Sequence, residues 1–133
     1  MPDLIEKLID SVQSLACIRC LKTGKDLYFN GAYEQVLQAH VKDESHNQSI
    51  SEIIGKSKDI TAKAHFTYCQ HLDNVFKGNK CKTTFAEEIL GHNKYLSLRT
   101  LITYKGVDSM LIIISKDNAP FSLDLTSANH IQW

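Results

Sequence analysis

Residues 15–37 read LACIRCLKTGKDLYFNGAYEQVL, and this stretch decides the fold. Two short apolar runs, 16–18 and 26–29, flank a polar turn in which Gly24 supplies the positive φ that a tight hairpin favours. Asn30 follows at once, and an Asn side chain can accept a hydrogen bond from the free amides of a new helix. The stretch therefore predicts a β-hairpin that leads into a helix capped by Asn30.

Upstream of the hairpin, the spacing of apolar residues is helical. Asp3 and Glu6 fit the signature of a helix start, and an apolar stripe follows at Leu4, Ile5, Leu8, Ile9, Val12 and Leu15. We expect an amphipathic helix within residues 1–15. Its stripe must be covered by the rest of the domain or by the same helix of a second copy, and the sequence leaves both open.

Downstream, the pattern predicts helices first and strands afterwards. Ser49 to Glu52 form a capping-box pattern for a short helix, which we expect Gly55 to end in a left-handed conformation. Residues 61–76 are compatible with a longer helix. Three extended runs then predict antiparallel strands: 81–90, 94–104 and 107–115.

The middle strand alternates between two faces. The more apolar face, which we expect to be covered, carries Leu96, Leu98, Thr100 and Ile102. Ser97, Arg99 and Thr103 alternate to the other side, which we expect to be wetter. After Pro120 the chain shows no clear periodicity and is typical of a connector.

Composition limits the class of protein. The 133 residues carry no formal net charge and are 43% hydrophobic and 23% charged, which indicates one ordinary globular domain with little electrostatic attraction for nucleic acid. No apolar run approaches the roughly 20 residues of a membrane span, and the N-terminus does not resemble a signal peptide. We therefore expect a cytoplasmic domain whose four cysteines are reduced.

The order of elements, together with SEIIGKSKDI at 51–60 and GVDSMLIIISKDN at 106–118, resembles a PAS domain over nearly the whole chain. The resemblance implies an α+β fold: a five-stranded antiparallel sheet with helices on one face, plus the N-terminal amphipathic helix. It implies a dimerisation helix at 1–15, a PAS core at 16–117 and a connector at 118–133. Within the family, the chain looks most like the sensory domain of TraJ-type activators of plasmid conjugative transfer, relatives of LuxR-like helix-turn-helix regulators.

This resemblance implies a non-catalytic function. We expect a homodimer formed through Leu4, Leu8 and Val12, with Asp117 at the junction to a connector that leads to an attached DNA-binding domain. This segment itself is expected to bind neither nucleic acid nor membrane. The alternatives are a ligand- or redox-sensing input domain of a histidine kinase or a cyclic-nucleotide signalling enzyme, and a free-standing interaction module.

PAS folds often leave a cavity between the sheet and the long helix. Here its expected lining is Phe66, Tyr68, Phe85, Leu98 and Ile112, and the competing interpretation is a filled core. Some PAS domains hold haem through a histidine on this helix, which makes His65 or His71 the candidate ligand for that cofactor. The cysteine signature of flavin-binding light sensors is missing from the long helix.

Other chemistry receives little support from the sequence. Cys17 and Cys20 lack a second ligand pair and, three residues apart on a strand, face opposite sides. His65 and Cys69 share a helical face, but the sequence predicts no metal site and no cofactor beyond the haem candidate or a small molecule in the pocket. Glu87 and Glu88 point to opposite faces and are expected to be surface charges. With no Gly-rich phosphate loop and no nucleophile elbow, an enzyme is not expected.

Overall fold

The computed structural model describes residues 4–42, 48–78, 83–90 and 93–116 and confirms the α+β class. Asp3, Cys81, Asp117 and the 118–133 connector lie outside the described residues. The elements are α1 (Leu4–Ser11), β1 (Leu15–Cys20), β2 (Asp26–Phe29), α2 (Gly31–His40), α3 (Ile50–Gly55), α4 (Ile60–Gly78), β3 (Thr83–Leu90), β4 (Asn93–Tyr104) and β5 (Val107–Lys116). No helix in these ranges is both long and apolar enough to cross a membrane.

The five strands form one antiparallel sheet in the order β2-β1-β5-β4-β3. Helices α2, α3 and α4 pack on one side, the inner face, against a core that includes Cys17, Met110 and Ile112. Helix α1 packs on the opposite side, the outer face, where Ile9 joins Ala16 and Ile18 in a second apolar cluster. Because side chains alternate along a strand, β1, β2, β4 and β5 each contribute to both clusters.

The hairpin and its cap confirm the predictions from 15–37. Gly24 has a φ of 73°, and the Asn30 side chain accepts a hydrogen bond from the Tyr33 amide at 3.0 Å. The same oxygen accepts from the Ala16 amide at 3.2 Å, and Nδ2 donates to the carbonyls of Ile9 and Ser14 at 3.1 and 2.8 Å. Asn30 therefore ties α1, β1 and α2 together at one end of the sheet.

Helix α1 is shorter than the predicted stripe. It ends at Ser11, because Leu15 pairs with Ile114 and the chain must already be extended there. Of the two stripe residues beyond the helix, Val12 packs partly buried against the outer cluster, and Leu15 lies in β1 beside the inner core. The prediction that these two residues continue a helical stripe was wrong.

Two further expectations are wrong. Helix α3 has the expected capping box, but Gly55 remains inside the helix, and the C-cap is Lys56 with a negative φ of −100°. In β4 the predicted wetter face is the inner one, where Ser97 and Arg99 are buried beneath α4. The partners of Arg99, described below, explain how a charged face can be the covered one.

Candidate functional site

The inner face holds a buried ion-pair network centred on α4. Asp73 of this helix accepts a hydrogen bond from Arg19 Nη1 on β1 and another from Arg99 Nε on β4, each at 2.7 Å. All three side chains are at most 3% exposed. Asp73 therefore bridges two guanidinium groups across the sheet, and its place on the inward side of a long helix makes this contact possible.

One end of the network lies where β2 meets α2. Arg19 Nε donates to Asp26 Oδ1 at 2.8 Å, and Arg19 Nη2 donates to the Tyr33 hydroxyl at 2.7 Å. That hydroxyl donates in turn to Asp26 Oδ2 at 3.1 Å. The three groups close a hydrogen-bonded ring, so that Arg19 is held by carboxylates from β2 and α4 at once.

The other end of the network lies between β3 and α4. Arg99 Nη1 donates to Glu88 Oε2 at 3.2 Å, and the Cys69 thiol donates to Glu88 Oε1 at 2.8 Å. His65 Nε2 lies 3.5 Å from Cys69 Sγ and 3.9 Å from Glu88 Oε1. The expectation that Glu88 is a surface charge was wrong: alternation along β3 turns it inward, Arg99 compensates its charge, and its neighbour Glu87 is the exposed one.

Burial and pairing set the acidity of these groups. Burial raises the pKa of Asp26, and Arg19 offsets this only in part. Burial also acts to raise the pKa of Glu88, but Arg99 and the hydrogen bonds from Cys69 and Ser97 outweigh it, so this pKa lies below its usual value. Burial, reinforced by Glu88, raises the pKa of the Cys69 thiol. The carboxyl ends of the network therefore differ: the pKa of Asp26 lies above its usual value, whereas that of Glu88 lies below it.

A cavity of about 20 Å³ remains beside this network. That volume has room for about one water molecule, whereas pockets for drug-sized ligands and cofactors measure roughly 300–1,000 Å³. As it stands, the cavity fits neither haem nor flavin. Its lining includes Arg19, Tyr33, His65, Phe66, Cys69, Arg99 and Ile112.

The structure brings together only part of the predicted pocket. Phe66 and Ile112 line the cavity, as expected. Phe85 and Leu98 lie opposite each other on neighbouring strands of the outer face, and Phe85 is 66% exposed. Tyr68 is 42% exposed because it projects from the solvent side of α4. Placing these last three residues in the pocket was therefore wrong.

The two candidate haem ligands lie on different sides of α4. His65 is buried in the cavity wall, whereas His71 is exposed and stacks on Tyr68 with ring centroids 6.2 Å apart. Sequence reasoning did not identify the charged members of the site. For the two arginines the signal is a single charge inside a mostly apolar stretch of strand, as with Arg19 in LACIRC.

No family model matches the chain, and a search of curated proteins found no match. Solved structures do resemble it. The PAS domain of Bordetella pertussis BvgS has 14% sequence identity and a TM-score of 0.62, over 96% of this chain and 93% of that one. The PAS domain of nitrogen regulation protein NR(II) from Vibrio parahaemolyticus has 17% identity and a TM-score of 0.50, over 87% and 100%.

A sensory box sensor histidine kinase from Vibrio cholerae has 10% identity and a TM-score of 0.55, over 87% of this chain and 90% of that one. At such identities the likeness establishes the fold alone. The chain has a PAS fold, and the ion-paired side chains of Arg19 and Arg99 line the small cavity on its inner face.

Proposed function

We propose that this PAS fold is a non-catalytic sensory and dimerisation module that controls an attached output domain. One observation carries the proposal: α1 presents Leu4 and Leu8 to solvent, with 81% and 53% of their surfaces exposed, although Ile9 anchors the same helix to the sheet. Large apolar side chains held on a fixed helix favour burial against a partner. A second copy of the chain is the partner that the proposal assigns.

The orientation of α1 supports this assignment. Tyr104 and Tyr28 donate hydrogen bonds from their hydroxyls to Glu6 and Asp10, which share one flank of the helix. Helical spacing places Leu4 and Leu8 together on the other flank. Two such helices can pair through their leucine flanks while the tyrosine contacts keep each helix on its own sheet.

Further apolar surface lies on the same face of the sheet. Val12, partly buried in the outer cluster, supports the interface from beneath, and Phe85 and Leu98 add apolar surface towards β3. In a homodimer formed through this face, a change of packing on one sheet alters the distance between the two output domains.

The inner face supports a role without catalysis. The Arg19, Asp73 and Arg99 side chains are buried and joined to one another, and the cavity beside them has room for one water molecule. A substrate could reach these groups only if the network opened. Signalling through the arrangement of two copies needs no such opening.

Two kinds of output domain are candidates. The resemblance of the Cys17-Ile18-Arg19 strand to TraJ-type activators favours a cytoplasmic, homodimeric regulator of conjugative transfer, with DNA bound by the attached domain. The likeness to the Vibrio cholerae sensor histidine kinase supports the input domain of a kinase as the second candidate. The full coding sequence of the gene distinguishes them, since an encoded helix-turn-helix supports the first and a kinase catalytic domain the second.

Dimerisation is tested with the substitution Leu8→Asp, because a carboxylate cannot be buried in an apolar interface without a partner. We expect the wild-type chain to have the mass of a dimer at micromolar concentration, by native mass spectrometry and light scattering, and Leu8→Asp the mass of a monomer. The matched control is Lys7→Asp, which adds the same side chain to the exposed face next to Leu8 and should remain a dimer. A monomeric wild type, or a dimeric Leu8→Asp, contradicts the proposed interface.

A further inference from the structure

We propose that His65, Cys69 and Glu88 form a binding site for a divalent cation of the zinc class. The three side chains are buried, and their ligand atoms all lie within 4.8 Å of one another. Two come from successive turns of α4 and the third from β3, so the site links the long helix to the sheet. This site goes beyond the proposed dimer and does not depend on it.

The separations of the ligand atoms suit tetrahedral coordination. Zinc bonds of about 2.3 Å to sulfur and about 2.0–2.2 Å to nitrogen and oxygen place ligand atoms about 3.4–3.6 Å apart at a tetrahedral angle. Here Cys69 Sγ lies 3.5 Å from His65 Nε2 and 2.8 Å from Glu88 Oε1, and the third separation is 3.9 Å. Shifts of less than about 1 Å in the side chains would complete the triangle.

The surroundings supply the rest of a coordination sphere. His65 and Cys69 both line the cavity of about 20 Å³, which has room for one water molecule as a fourth ligand. Arg99 donates to Glu88 Oε2 at 3.2 Å, which turns Oε1 towards the other two ligands. Hydrogen bonds of this kind orient metal ligands in proteins.

Charge balance points the same way. The two guanidiniums of the network face three carboxylates, Asp26, Asp73 and Glu88, which leaves one negative charge in excess when all are ionised. On binding the cation, Cys69 would exchange its S–H bond for a sulfur–metal bond and release the proton to buffer. The thiolate adds one negative charge and the cation two positive charges, so the buried network becomes neutral. A proton on Asp26 would also make the network neutral. Only a bound cation would give a metal spectrum, so the spectrum distinguishes the two.

Cobalt(II) provides the direct test, because it replaces zinc and has a visible spectrum. The full chain, stripped with a chelator, is titrated with Co²⁺. We expect one equivalent per chain to produce the intense visible bands of four-coordinate cobalt, together with thiolate-to-cobalt charge transfer in the near ultraviolet. Zn²⁺ should then displace the cobalt and remove these bands.

Each ligand has a matched control variant. Removing an outer-shell partner of a metal ligand typically weakens metal binding by about 10–100-fold. His65→Ala and Glu88→Gln remove ligands themselves and should weaken cobalt binding at least as much. Cys69→Ser should abolish the charge-transfer band, with Cys69→Ala as a second variant if the serine protein does not fold by circular dichroism. The controls are His71→Ala, Glu87→Gln and Cys20→Ser, which should bind cobalt as the wild type does.

Two results would overturn the site. One is a wild-type titration without a stoichiometric cobalt spectrum, and the other is a charge-transfer band that survives in a folded Cys69 variant. Measuring the mass of the protein with and without Zn²⁺ tests the metal site separately from the proposed dimer. A monomer that binds cobalt contradicts only the proposed interface, and a dimer that does not bind cobalt contradicts only the metal site.

Discussion

The inner face of the sheet buries paired charges beneath α4, whereas the outer face buries an apolar cluster beneath α1 and leaves Leu4 and Leu8 in solvent. The covered face thus combines a large apolar core with buried paired charges, whereas the cluster beneath α1 on the partly open face is apolar. Charges inside a fold fix positions through geometry, because each guanidinium must meet its carboxylate. Apolar surface has no such directionality and suits an interface in which two copies can adjust.

The largest expected effect is on stability and compares two Phe→Ala substitutions, one beneath the helices and one on the outer face. Phe66→Ala should destabilise the fold by about 3–5 kcal/mol, because the residue is 4% exposed and its removal leaves a cavity in the inner core. Phe85→Ala should cost about 1 kcal/mol or less, since that ring is 66% exposed. Unfolding in urea measures both, and equal losses would contradict the contrast between the faces.

A second prediction removes the centre of the ion-pair network. Asp73→Asn should lower the free energy of unfolding by about 3 kcal/mol, the low end of the range for breaking a buried pair. The low end applies because Arg19 keeps its ion pair with Asp26, and Arg99 keeps its ion pair with Glu88. The control, Asp108→Asn, alters an exposed aspartate on β5 and should change stability by at most about 0.5 kcal/mol. A loss of less than about 1 kcal/mol in Asp73→Asn would show that the network contributes little.

The smallest expected effect concerns pH and Asp26. This carboxyl faces Arg19 and Tyr33 directly, with Asp73 and Cys17 nearby, and burial raises its pKa above the usual 3.8. Such a group holds its proton more tightly in the folded state than in the unfolded state. Its contribution to stability is therefore full below pH 3.8 and is lost as the pH rises through the folded pKa.

Asp26→Asn removes this dependence, so the wild type should gain stability relative to the variant as the pH falls from neutral to about pH 4. Denaturant titrations of both proteins across that range measure the difference in free energy. A difference that is constant with pH, or one that grows towards neutral pH, would show that the folded state does not raise the pKa of Asp26.

Much of the fold follows from local signals that act over a few residues. The hairpin needs Gly24 at positive φ, α2 needs the Asn30 cap, and α3 needs the Ser49 capping box; the sequence shows each of them. The order of helices and strands was therefore predictable. The end of α1 was not, because Leu15 becomes extended only by pairing with Ile114, far away along the chain.

The site was harder to predict because it depends on which side of each strand faces the helices. Alternation in β4 correctly separated Leu98 from Arg99, but the assumption that the apolar side is covered reversed the two faces. A charge on an inward position is tolerable only with a partner, and the partner of Arg99 is Asp73, 26 residues away on a helix. Spacing along the chain does not reveal such a contact.

The strand order also governs when the domain can form during its synthesis. Strand β1 lies between β2 and β5, so one of the first elements made must wait for β5, the last strand in the described part of the chain, before the middle of the sheet exists. Contacts between such distant parts of a chain slow folding. While the ribosome is still making the last strand, the apolar residues of β1 lack their β5 partners, and a nascent chain in that state is prone to association. Folding of this domain should therefore begin late, once residue 116 has left the ribosome.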